Sequence, residues 1–417
     1  MRLINRALIC GSLVLGLALT GCSTKGGTSG ANQTGKDGVK YDYGVTDDSI
    51  TLGAMTDQSG AFKVIGLGIT QGQQIWVDDV NKAGGICGRD IKLDIQDNGY
   101  HADKALTLYA SMKDKVAGMV QVLGSPIAAA LKPQLESDDM LSIPASWASG
   151  NLESKALLQV GATYAIEMVN GMAYAQKSGL IADGDKIGHI YVDGEYGGDG
   201  LSGSKAYAKQ HNQTIVPAKV TGEDSDLTPA VTSLKSAGVK AVLITTTPTQ
   251  TGSILTAMSA QGMSDVPVVG NGPSFAPTLL DTPAKDSFAN YYRVVPYLPF
   301  NAPQPITQHI AESYHAKFTD KPQDAVEQGY SFAMAYEAVL TKACKNKDLT
   351  RKGILDAARQ VKVDTKGLTA PLDYSKPGQP PTRATYIEQV DTSVEGGLKI
   401  VDDISASQEA KDLKVGK

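Results

Sequence analysis

The chain has 417 residues, past the ~250–300 at which a single hydrophobic core stops growing, so two or more domains are expected. With 41% hydrophobic and 20% charged residues it is neither wholly disordered nor a multi-span membrane protein. A formal net charge of -5, with no local cluster of Lys and Arg, speaks against nucleic acid as a partner.

Arg2 and Arg6 precede an apolar run from Ala7 to Leu19, too short to span a membrane and flanked as a secretory signal is. Leu19-Thr20-Gly21-Cys22 follows and resembles the lipobox of bacterial lipoproteins, which implies a signal peptide over 1–21 and lipidation of Cys22. Two acyl chains on one residue suffice for stable attachment. The chain is therefore expected to be exported and anchored at the outer face of the bacterial cell membrane. Residues 22–45, rich in Gly, Ser and Thr, read as a flexible linker. Cys10 leaves with the signal, so Cys87 and Cys344 remain. In an exported protein they either pair or stand as two buried thiols; a bond across so long a loop contributes about 4–5 kcal/mol in the entropic picture.

Ile50–Met55 reads as a buried strand, followed by a Gly/Ser loop and a helix through Ile69, Gly72, Trp76, Val80 and Ala83 that Gly84-Gly85 stops. Ile91, Leu93 and Ile95 alternate as a strand, Ala105 to Val116 is helical, and Met119–Leu123 is a third strand. A helix from Pro126 leads to a strand over Met140–Ile143. A second series opens with a helix carrying Tyr164, Met168, Met172 and Ala175. It has strands at Lys186–Val192, Thr214–Val220, Val239–Thr245 and Val266–Val269, with helices at Gly200–His211, Thr228–Ala237 and Thr251–Gln261. Strands alternating with helices predict an α/β fold with parallel sheets, and the restart predicts two lobes. In such sheets a ligand sits beyond the C-terminal ends of the strands.

The loops there hold few groups capable of acid, base or nucleophilic work. No Gly-x-Ser-x-Gly, His-Glu-x-x-His or Gly-Lys-Ser/Thr motif occurs, and the five histidines are scattered. Gly66-x-Gly68-x-x-x-Gly72 lies too far past the first strand, with one residue too many, for a dinucleotide loop. Asp193 and Glu195 form a conceivable carboxylate pair, read as a hydrated loop edge. No enzymatic activity, metal or cofactor is expected.

Asp57-Gln58-Ser59-Gly60, Gly66, Gly72, Val80-Asn81-Lys82-Ala83-Gly84-Gly85-Ile86, Gly88-Arg89 and Asp97 resemble the start of the branched-chain amino-acid type of extracellular solute-binding protein. Tyr191-Val192-Asp193-x-x-Tyr196-Gly197, Asp226-Leu227-Thr228 and Gly329-Tyr330 extend the likeness, which spans 48–404. It implies two Rossmann-like lobes joined by a three-crossing hinge: 46–165 plus 296–370, and 166–295 plus 371–417. Both remaining cysteines then fall in lobe one. The implied function is capture of a small polar solute (amino acid, amide or small carboxylate) between closing lobes, by a monomer that delivers it to an ABC permease with its ATPase subunits. A sensory module of the same fold is the alternative.

Gly124-Ser125-Pro126 combines an N-cap serine with a proline at the first helical position, leaving free N–H groups suited to a carboxylate. By the resemblance Ser125, Ser146 and Ala148 grip the solute, with Ser59 nearby, Trp147 as a wall, and Tyr196 closing over it. Thr246, Thr247 and Gln250 offer hydrogen bonds from the second lobe, and Tyr330 is a rim candidate. Where amino-acid binders of this family place an acid to meet the ammonium, this chain has Gly270-Asn271-Gly272-Pro273; Asn271 takes that place, and only Asp193 or Glu195 is left to substitute.

Overall fold

The computed structural model describes residues 32–416. The signal segment and Cys22 lie outside the described residues. In chain order the elements are β1 (Gln33–Thr34), β2 (Lys40–Tyr41), β3 (Ser49–Thr56), α1 (Lys63–Lys82), β4 (Asp90–Asp97), α2 (Ala102–Met112), β5 (Gly118–Leu123), α3 (Ser125–Ser137) and β6 (Ser142–Ala145). The second series is α4 (Tyr164–Lys177), β7 (Lys186–Val192), α5 (Glu195–Gln210), β8 (Thr214–Val220), α6 (Thr228–Ala237), β9 (Ala241–Thr245), α7 (Pro248–Ala260), β10 (Val268–Asn271) and β11 (Tyr291–Val295). Then come α8 (Pro305–Lys317), α9 (Ala325–Lys345), β12 (Asp348–Leu349), α10 (Arg351–Ala358), β13 (Lys362–Val363), β14 (Leu372–Asp373), β15 (Thr385–Val390), β16 (Leu398–Ser405) and α11 (Gln408–Asp412).

Two α/β sheets result. The first has the order β4-β3-β5-β6, all parallel. The second has the order β16-β15-β11-β10-β9-β7-β8, parallel except that β15 and β16 close one edge antiparallel. Strands β5 and β9 are buried along their whole length, which is why they read as unbroken apolar runs rather than alternating ones. The chain passes from the first sheet to the second after β6, comes back after β11 and crosses again between β14 and β15.

The returning helix α9 completes the first lobe by lying against α1. The approach demands glycine from both sides: a Cβ on Gly72 would strike the Val326 carbonyl, and one on Gly329 the Ile69 carbonyl. The glycines that superficially suggested a phosphate loop thus sit inside α1: Gly68 and Gly72 admit the α9 segment, and Gly66 admits the Asp57 carbonyl after β3. Trp76 Nε1 donates to Glu337 Oε2 at 2.8 Å and Tyr330 Oη to Asp79 Oδ2 at 2.8 Å across the same crossing. Tyr336 Oη donates to the Leu141 carbonyl at 3.0 Å, fixing α9 to the first sheet. Cys87, just beyond α1, is bonded to Cys344 in the last turn of α9, with 6.2 Å between their Cα atoms.

The expected linker ends earlier than its composition suggests. From residue 32 the chain is folded onto the first lobe: β1 and β2 join β12 in a small sheet, and Val39, Tyr41 and Val45 are buried. The buried Arg89 guanidinium grips Asp37 at 2.7 Å and holds its carboxyl down at about 2. Alternating apolar residues, hidden among the glycines, account for the correction.

Helix starts also move. α5 begins at Glu195 and α7 at Pro248, directly after their strands, because the turn residues already belong to the first helical turn.

Candidate functional site

Between the two sheets, at the C-terminal ends of their strands, lies a cavity whose empty space, counted together with its opening to solvent, is about 350 Å³. The first lobe supplies Phe62, Ile65 and Ile69 around the start of α1, Tyr100 after β4, Leu123 to Ser125 after β5, and Ala145. Tyr164 opens α4, Tyr196 sits in the first turn of α5, Pro273 follows β10, and Gln328 comes from the first turn of α9. Apart from Gln328 on α9, the lining comes from strand ends and the chain leading into the next helix, the placement open α/β sheets impose.

The lobes are closed over this space. Tyr196 packs edge-on to Tyr164 with ring centroids 4.8 Å apart and reaches Phe62 at 6.3 Å, while Phe62 meets Tyr100 at 4.7 Å. Among the described residues that line the cavity none is Asp, Glu, Lys, Arg or His. Burial pushes the phenols of Tyr100, Tyr164 and Tyr196 well above their ordinary range, so all three stay protonated. The interior is therefore aromatic, aliphatic and free of net charge, with a few hydrogen-bonding groups.

One set of them gathers at the start of α3. The N-cap of α3 is Gly124, whose φ of 112 suits glycine, and no side chain caps the helix. This corrects the assignment of Ser125 as the cap: its hydroxyl instead lies 2.7 Å from Ser146 Oγ. Asn151 Nδ2 donates to Ser146 Oγ at 3.3 Å, so the Ser146 hydroxyl can donate its hydrogen bond to Ser125 Oγ and leave the Ser125 O–H to donate beside the Tyr164 hydroxyl at the cavity wall. The peptide N–H groups of Ser125 and Ile127 add the positive end of a 13-residue helix.

The opposite wall is braced from behind. Tyr196 Oη donates to Asn271 Oδ1 at 2.7 Å, with the Thr246 carbonyl also 3.1 Å away. Its hydroxyl is thereby spent, and the ring face is what the cavity receives.

The residues 49–397 match a family model described as "Periplasmic binding protein". The chain belongs to the periplasmic binding protein family. A fatty acid ABC transporter substrate-binding protein from Thermomonospora curvata is similar at 37% identity, with a TM-score of 0.89 over 92% of this chain and 99% of that one. A branched-chain amino acid ABC transporter protein from Thermus thermophilus, with bound valine, superposes with a TM-score of 0.77 at 14% identity over 88% and 98% of the two chains. A solute-binding protein from Rhodopseudomonas palustris BisB5, in complex with 3,4-dihydroxybenzoic acid, gives 0.74 at 19% identity over 88% and 100%. No curated protein sequence matches.

Within this family fold the residues expected at the site divide into three groups. Ser125 and Tyr196 line the cavity, and Ser146 and Asn271 stand directly behind them. Thr246 contributes its carbonyl to Tyr196, while Thr247 caps α7 in a reciprocal pairing with Gln250. Trp147 donates Nε1 to the Val160 carbonyl at 2.9 Å and packs against Tyr164 and Tyr297, one layer out from the cavity. Ala148 is buried without lining the space. Ser59 is exposed and donates to Asp97 Oδ2 at 2.8 Å, and Tyr330 belongs to the α1–α9 crossing. Asp193 and Glu195 are exposed; Asp193 pairs with Lys219 at 3.3 Å, and neither reaches the cavity. Phe62, Tyr100, Tyr164, Pro273 and Gln328 were not singled out from sequence. Phe62 and Tyr100 carried a usable signal, each a lone aromatic in a Gly-flanked loop after a strand.

Proposed function

We propose that this protein is the solute receptor of an ABC importer and that its solute is a small monocarboxylate with an apolar or aromatic body. The solute lies between the lobes and is released unaltered to the permease. The observation that carries this reading is the cavity itself: donors from Ser125 and the α3 amino terminus, the uncharged amide of Gln328, and otherwise aromatic or aliphatic lining with no charged side chain. An α-ammonium group would be buried there opposite no carboxylate, which is costly. The reading therefore moves away from amino acids, the class first suggested by family resemblance, and toward the fatty acid and dihydroxybenzoic acid named for two of the similar structures. The signal-like segment and Cys22 support export and lipid anchoring beside the permease.

A thermal-shift and calorimetric screen of the purified chain tests this with octanoate, 4-hydroxybenzoate, octanamide and valine. Octanoate or 4-hydroxybenzoate is expected to raise the melting temperature, and valine to leave it unchanged. Stabilisation by valine alone would sink the assignment.

A further inference from the structure

Behind the cavity one arginine touches both lobes. Arg293, on β11, is 1% exposed and lies directly across the strand pair from Glu388 on β15. Its Nε and Nη2 donate to Glu388 Oε2 at 3.0 and 2.8 Å. Nη1 donates to the Gly272 carbonyl at 3.4 Å, and the N–H of that same glycine donates to Glu167 Oε2 at 3.3 Å. Gly272 connects Asn271, which braces Tyr196, with Pro273, which lines the cavity. Nη2 also pairs with the carboxylate of Asp324, which comes from the other lobe at the amino terminus of α9.

Asp324 is the cap residue of α9, yet its side chain caps nothing, so the carboxylate is free for Arg293. Its carbonyl accepts the N–H of Gln328 at 3.1 Å, one turn along, where Gln328 lines the cavity. The two acids on Arg293 differ in kind. Glu388 belongs to the same sheet and satisfies the arginine whether or not the lobes meet. Asp324 belongs to the opposite lobe and can reach Arg293 only across the seam. Burial works against the Arg293 charge, but Glu388 and the surrounding groups hold its pKa above the ordinary value, so the guanidinium is present as a cation to be shared.

We propose that Arg293 is a positioning residue joining the two cavity walls, and that its contact with Asp324 is made only in the closed form, so that this pair sets how much of the solute-free protein is closed. The proposal rests on the interlobe cavity being the solute site, although its first test needs no solute.

Small-angle scattering of the full chain without added solute compares wild type with Asp324→Asn and Asp324→Glu, each checked for an intact melting transition. Asp324→Asn is expected to shift the radius of gyration upward, and Asp324→Glu to restore it. With octanoate as probe, Asp324→Asn weakens binding about tenfold by lowering the closed fraction. A folded Asp324→Asn protein with an unchanged radius overturns the proposal, as does an equal increase in the Glu variant. Should the Asn variant not fold, Asp324→Ser is read in the same way: it removes the carboxylate at the cap of α9 while leaving Glu388 and the Gly272 carbonyl to satisfy Arg293, and an unchanged radius again overturns the proposal. Failure of wild type to bind octanoate would remove the solute assignment while leaving the scattering result to stand or fall by itself.

Discussion

The two lobes bring different things to the same cavity. The first lobe is internally cross-linked, by the Cys87–Cys344 bond and by the close glycine contacts of α1 with α9, and it faces the cavity with the Ser125 hydroxyl and the start of α3. The second lobe offers a ring, Tyr196, whose hydroxyl is already held by Asn271 and the Thr246 carbonyl. The difference teaches that a polar residue near a cavity need not be a polar contact. One wall leaves its donors facing the cavity, and the other spends them on holding an apolar surface still.

Four substitutions test that contrast. Replacing Cys87 and Cys344 together by Ser is expected to lower stability by up to about 4–5 kcal/mol. The loss should appear in denaturant unfolding while octanoate affinity stays within twofold, because the bond lies inside one lobe; a large affinity loss would mean that the first lobe is not a rigid platform. Tyr196→Ala removes a buried ring and its contacts with Tyr164 and Phe62, a change of about 3–4 kcal/mol, and isothermal titration should find octanoate binding lost. Tyr196→Phe should retain binding, since only the brace is cut. Ser125→Ala is expected to cost about 2 kcal/mol of octanoate affinity, the range for a hydrogen bond to a charged group, with little change for octanamide. An equal loss for both ligands would place the carboxylate elsewhere.

The smallest effect concerns Asp199, on α5, which accepts the Ala165 N–H at 3.1 Å at the start of α4. Burial pushes its carboxyl up from 3.8 to about 6. Ionising it in the folded protein is therefore costly, and the stability its neutral form provides is present below about pH 4 and lost as pH rises through about 6. Asp199→Asn, which can still accept from Ala165, should match wild type at pH 4 and melt higher at pH 7, by about 1–2 kcal/mol after allowance for partial exposure. A constant difference at both pH values would show that the carboxyl titrates normally.

Much of the architecture was legible because both sheets are covered on two faces, so central strands such as β5 and β9 announce themselves as continuous apolar runs. Helix starts were less legible. Gly197, Gly198 and Gly200 argue against a helix locally, yet α5 begins at Glu195. The tertiary setting outweighs propensity: a Cβ at Gly203 in the same helix would collide with the Ala165 carbonyl of α4. At the site, Ser125 and Tyr196 were recognisable from family likeness, but Phe62, Tyr100 and Gln328 converge from three separate stretches of chain, and no local pattern records that meeting. Thr247 and Gln250 show the reverse difficulty, since polar residues after a strand look like ligand contacts when they are capping the next helix.

The route of the chain between the lobes also governs how it can mature. The segment that fills the glycine face of α1 arrives only with residues 325–345, after five of the seven strands of the second sheet. A polypeptide ending at Val295 would carry Gly68 and Gly72 on a naked groove, and Cys87 would have no mate. Neither half of the clamshell can therefore be excised as one continuous stretch and expected to stand alone, and a nascent copy has to wait for its last quarter before the first lobe can set.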